Sequence, residues 1–186
     1  MITSNTLKPS VVEFIGESLE RSKKSLKMMV RQEIGLKVES IQPLRYEEQI
    51  FLNEQKNDVV VTTEIIGDMK GKSYFFMDKE TAVEFHDILM KRMRKTDISE
   101  KAILKEIDNI ISASAISVIA NHMKNDIYGD VPHYFEQDND QICEVMKNDF
   151  RNLEGEELVI VKADFEREGK EGVIGFYWII AGLSNY

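Results

Sequence analysis

Glu106 and Asn109 put a carboxylate and a carboxamide three residues apart within residues 97–123, a run of apolar and small side chains that reads as one long helix. Asp97 or Ser99 can cap its start, and Glu100 and Glu106 suit its early turns. At about 100° per residue, Ile103, Ile107, Ile110, Ile111, Ser114 and Val118 share a broad face suited to a core. Glu106 and Asn109 lie together on the opposite flank. Around them Ala102, Ala113, Ser117 and Ala120 are too small to shield the pair from a molecule approaching along the helix, which makes a docking surface. On spacing alone, the pair reads first as two ordinary solvent-facing residues of an amphipathic helix.

Rival constellations are weak. His86, His122 and His133 are scattered, without the Cys or carboxylate spacing of a recognisable metal motif, so structural or solvent roles are expected for them. No GxSxG occurs, and Cys143 has no local nucleophile signature. Residues 67–73, GDMKGKS, look superficially like a phosphate-binding loop. Their glycines are one residue too close for GxxxxGK[ST], however, and a strand rather than a helix follows, so a hairpin turn is expected. Phe176, Tyr177 and Trp178 belong to a final strand and read as packing rather than as a base-stacking platform.

Composition narrows the partners. With 186 residues, 42% of them hydrophobic, the chain can fill one core and is too short for two large ones, so a single domain over 1–186 is expected. Lys and Arg number 24 against 33 Asp and Glu; the formal charge of -9 argues against nucleic acid and against an anionic membrane surface. Basic residues nonetheless cluster: Arg21, Lys23, Lys24, Lys27 and Arg31 early on, then Lys91, Arg92, Arg94, Lys95, Lys101 and Lys105 around the start of the central helix. Residues 136–171 are strongly acidic. An acidic protein partner could sense that asymmetry, although solvated helix faces account for it equally well. A lone Cys143, a polar start and the lack of an 18-residue apolar run point to a cytoplasmic protein.

The elements that would hold the pair can be read in order. Residues 9–34 form an amphipathic helix, with Pro9 in its first turn and Gly35 as its stop. Residues 36–45, 49–52, 58–66 and 74–77 favour extended structure, and residues 79–94 read as a second helix. After the central helix come a short extended piece at 133–135 and a mobile or partly helical connection at 138–149. Strands follow at 158–165 and 173–180. The two halves, about 9–95 and 96–186, share an order of helix, extended segments and terminal hairpin, a weak internal repeat. The class is therefore α+β, with hairpins from both halves in one mainly antiparallel sheet and long helices over it in two layers.

The wording of the central helix, Glu106-Ile107-Asp108-Asn109-Ile110 followed by small residues, resembles the ExxN signature of the CheC/CheX/FliY phosphatases of bacterial chemotaxis. The likeness runs in pattern from the first helix to the final hairpin, and it implies a CheC-like fold of two pseudo-symmetric repeats. It also implies a phosphatase, of full or of weak activity, that dephosphorylates a CheY-like response regulator of two-component signalling. Asn109 would orient the attacking water and Glu106 would pair with the partner's active-site lysine. No cofactor of its own is implied, since the receiver supplies Mg2+, and a homodimer is left open.

The family often repeats the motif in its first helix. Counting back from Gly35 and Val38 sets Glu17 and Glu20 there, and Glu20 cannot act as a hydrogen-donating carboxamide, so a CheX-like single site is expected. Asp108, where a small neutral residue is usual, and Ala113, where Gly is common, depart from the pattern. Asp108 should turn away from the phosphate, and its replacement by Ala is expected to raise efficiency by less than about tenfold. The alternative function is a non-catalytic CheC-like module that binds a receiver domain or another signalling protein.

Overall fold

The computed structural model describes residues 7–44, 58–94, 97–136, 138–153, 157–169 and 173–183. Among the described residues there are four helices, α1 (Pro9–Val30), α2 (Lys79–Met93), α3 (Glu100–Met123) and α4 (Asn139–Asn152), and seven strands. The strands are β1 (Ile34–Leu44), β2 (Val59–Gly67), β3 (Gly71–Met77), β4 (Ile127–Gly129), β5 (His133–Glu136), β6 (Leu158–Arg167) and β7 (Val173–Ala181). Side-chain caps fix the starts of three helices. Asp78 accepts from the Thr81 amide at 2.6 Å, Ser99 from Ala102 at 3.3 Å and Asp138 from Gln141 at 2.9 Å.

One sheet runs in the order β1-β6-β7-β3-β2-β4, with β5 also pairing β2, and every pairing is antiparallel. The β2–β3 and β6–β7 hairpins meet at its centre, where Phe75 faces Phe176 across β3 and β7. Residues 67–71 make the expected turn. Gly67 has φ 106°, and a Cβ there would stand 2.1 Å from the Asp126 carbonyl, so its glycine serves chain approach rather than phosphate.

Strand alternation feeds two cores. Phe75, Phe165, Phe176 and Trp178 pack with α1, α2 and α3 on one face. Tyr74, Phe76, Ile160 and Tyr177 pack on the other face with Ile142, Met146 and Phe150 of α4. The expected two layers are therefore three. The segment at 138–149 is a helix: its apolar residues recur every fourth position and cover a sheet face that would otherwise be wet, and Tyr74 and Lys72 both reach Asp149.

The first helix also ends earlier than Gly35 suggests. Arg31 closes it in the left-handed conformation, as Arg94 and Lys124 close α2 and α3, and β1 has begun by Ile34. Residues 49–52, expected to be extended, lie outside the described residues.

Candidate functional site on α3

Glu106 and Asn109 are exposed on the same flank of α3, and Ala102, Ala113 and Ser117 are exposed around them, with Ala120 half-buried. The opposite face is core: Ile103, Ile107, Ile111 and Val118 are buried, and Ile110 and Ser114 are half-buried at its edge. The helix thus holds the polar pair outward on a backbone fixed by apolar packing.

α1 lies antiparallel against α3. Phe14 stacks on His122 at 5.6 Å between ring centres, whereas Ser25 touches Ser114 at 2.7 Å and Ser22 donates to the Ile111 carbonyl at 2.8 Å. Serines at the crossing let the two backbones come close. This direction brings the C-terminal half of α1 alongside the half of α3 that carries Glu106 and Asn109. On the other flank, Lys101 Nζ sits 5.6 Å from the centre of the Tyr134 ring.

Asp108 turns into the core, as its angle predicts, but it is no solvated carboxylate. It is fully buried and accepts from Thr63 Oγ1 at 2.6 Å and from Ser112 Oγ at 3.2 Å. Burial pushes its carboxyl up from 3.8 to about 7, against the downward pull of both hydroxyls. The expected modest gain on replacing Asp108 by Ala is therefore withdrawn. The change would remove a buried anchor of α3, not a charge facing a phosphate.

The first helix does not set Glu17 and Glu20 opposite Glu106 and Asn109. Aligning α1 and α3 on their left-handed caps, Arg31 and Lys124, sets Val11 on Leu104, Phe14 on Ile107, Leu26 on Ile119 and Val30 on Met123, buried on buried. In that register Glu13, not Glu17, answers Glu106, and Gly16, not Glu20, answers Asn109. Glu17 instead lies 2.9 Å from His122, and Glu20 pairs with Lys23. The other histidines form no cluster: His86 contacts the Ile98 carbonyl at 2.9 Å, and among the described residues no group of three or more His, Cys, Asp or Glu could hold a metal ion. No described helix is long and apolar enough to cross a membrane.

No protein-family model matches the sequence, and no curated protein is similar enough to match it. Solved structures do match the fold. FliY of Thermotoga maritima superposes with a TM-score of 0.64 at 17% identity, covering 96% of this chain and 93% of that one. A CheC-like superfamily protein from Shewanella sp. PV-4 gives 0.63 at 13% identity over 92% and 99% of the two chains. CheX of Borrelia burgdorferi, solved in a complex with CheY, BeF3 and Mg2+, gives 0.61 at 18% identity over 91% and 98%. The chain has the CheC-like fold shared by FliY and CheX.

Proposed function

We propose that the chain acts in chemotaxis-type signalling as a phosphatase for a phosphorylated CheY-like receiver, with Glu106 and Asn109 entering the receiver's active site. The observation that carries the reading is the exposure of this pair, and of its small neighbours, on one flank of a helix whose opposite face is locked into the core. The resemblance of fold to CheX, which has been solved bound to CheY, supports the choice of partner.

The chemistry asks little of the helper. An aspartyl phosphate is already an activated acyl phosphate, and a Mg2+ ion held by the receiver would supply charge stabilisation there. The Asn109 carboxamide oxygen would accept a hydrogen bond from water and aim it at phosphorus, opposite the aspartyl oxygen. The new P–O bond forms as the old one breaks, releasing inorganic phosphate and the free carboxylate. Glu106 would pair with the receiver's lysine and fix the register of the two proteins. Neither residue needs to act as nucleophile.

The test is loss of phosphate from receiver domains of the host, phosphorylated with acetyl phosphate, with and without this protein. Faster loss supports the phosphatase. A stable complex with no acceleration would establish the binding module instead.

A further inference from the structure

Alongside the polar pair the surface turns basic. An open groove of about 700 Å³ runs between α1 and α3, walled by Arg21, Lys24, Met28 and Arg31, with Ser25 and Ser114 in its lining. The wall belongs to α1; Ser114, which α3 contributes to the lining, donates its Oγ to the carbonyl of Ile110, the residue after Asn109. Lys27 at the rim is engaged by Glu33 at 2.6 Å. Arg21, Lys24 and Arg31 are exposed and make no ion pair among the described residues. Met28 between them is 67% exposed, an apolar side chain in a cationic frame.

This patch opposes the charge of the rest of the chain, whose formal net charge is -9. Any phosphorylated receiver presents a dianionic phosphoryl group among the carboxylates that hold its metal ion. Glu106 is a further anion on the approaching surface. Approach would be repelled over most of this protein and favoured along the groove, because a local field of opposite sign steers encounter even where the net charges are alike.

We propose that the groove is the docking surface for the acidic rim around the receiver's phosphoaspartate, with Arg21, Lys24 and Arg31 taking its carboxylates and Met28 making the apolar contact. This rests on the reading of Glu106 and Asn109 given above. It adds a specificity determinant: receivers whose rim is acidic are selected over those whose rim is neutral or basic.

The experiment compares wild-type protein with an Arg21→Glu/Lys24→Glu variant, which leaves the Arg31 helix cap in place. Association with host receivers loaded with beryllofluoride and Mg2+ is followed by stopped flow at about 50 mM and about 500 mM salt. The groove variant should associate about tenfold or more slowly at low salt, with the deficit shrinking to about twofold at high salt. Lys37→Glu/Lys70→Glu, the same change of net charge on exposed residues elsewhere, should slow association by less than about threefold. Equal slowing in both variants would overturn the groove. Tight, groove-dependent binding without turnover would sink the phosphatase and leave the groove standing; failure of the wild-type protein to bind any receiver would overturn both.

Discussion

Thr63 Oγ1 donates a 2.6 Å hydrogen bond to Asp108 Oδ2, tying the turn of α3 that lies between Glu106 and Asn109 to the middle of β2. Ser112 closes the other carboxyl oxygen at 3.2 Å, and Ser73 of β3 touches Ser112 at 3.2 Å. A buried polar chain therefore runs from the sheet into the helix that presents the site. Burial wins over the two hydroxyls and raises the carboxyl from 3.8 to about 7.

That shift makes stability depend on pH. Between pH 4 and 7 Asp108 is ionised in the unfolded chain and protonated in the folded one, so folding takes up a proton and stability from this group falls as pH rises. Below pH 4 and above pH 7 its contribution is flat, and the full loss is on the order of 4 kcal/mol. Asp108→Asn cannot ionise, and its carboxamide can accept from one hydroxyl and donate to the other. Urea unfolding from pH 5 to 8 should show the variant gaining a few kcal/mol on the wild type as pH rises. Parallel stability curves would mean that the carboxyl titrates normally.

The two motif residues should fail differently. Asn109→Ala removes the group proposed to aim the water, so single-turnover dephosphorylation should drop by roughly 100-fold or more, about 3 kcal/mol of barrier, with receiver binding kept within several-fold. Glu106→Ala should weaken the complex itself. Both side chains are exposed, so neither change should unfold the protein. Full activity in both variants would remove the assignment.

The exposed pair was legible because helical periodicity needs only local sequence, and the same angles turned Asp108 away from it. What Asp108 meets was not legible: Thr63 lies on another element, and nothing near position 108 announces it. α4 is faint in the sequence because Ile142, Met146 and Phe150 sit among polar and charged residues, and the uncovered sheet face that recruits them is a property of β3, β6 and β7. β4 has three residues, too few to show alternation. The register of α1 slipped because its stop is Arg31 rather than a glycine, and a basic residue in the left-handed conformation leaves no signature beyond its charge near the helix C-terminus.

Glu17 and Glu20 are ordinary surface carboxylates on this account. Glu17 contacts the exposed His122 and Glu20 pairs with Lys23 one turn on. Replacing both by Ala should leave turnover within about threefold and cost about 0.5 kcal/mol or less per site in thermal or urea unfolding. Severe loss of turnover in a folded variant would reveal a site on α1.

The corrected register makes Gly16 the sharper probe of what the motif needs. Glu13 already stands where Glu106 stands on the other helix, and a Cβ built at Gly16 meets nothing within 4 Å, so Asn fits there and is a slightly better helix former than Gly. Gly16→Asn thus builds a second Glu-x-x-Asn at the far end of the α1–α3 pair at no cost to the fold. Its surroundings differ. The counterparts of Arg21, Lys24 and Met28 beside the new motif are Ser114, Ser117 and Asn121, which bring no apolar contact and leave Lys124, the counterpart of Arg31, as the one cation among the four positions. If Asn109 and Glu106 work only with the basic groove beside them, Gly16→Asn in an Asn109→Ala background should restore less than about a tenth of wild-type single-turnover dephosphorylation, because encounter and orientation supply several kcal/mol that the motif alone lacks. Adding Ser117→Lys should then raise the rate at low salt. Rescue to the wild-type rate by Gly16→Asn alone would show that two side chains on a helix suffice for docking, and would count against the groove as firmly as it supported the motif.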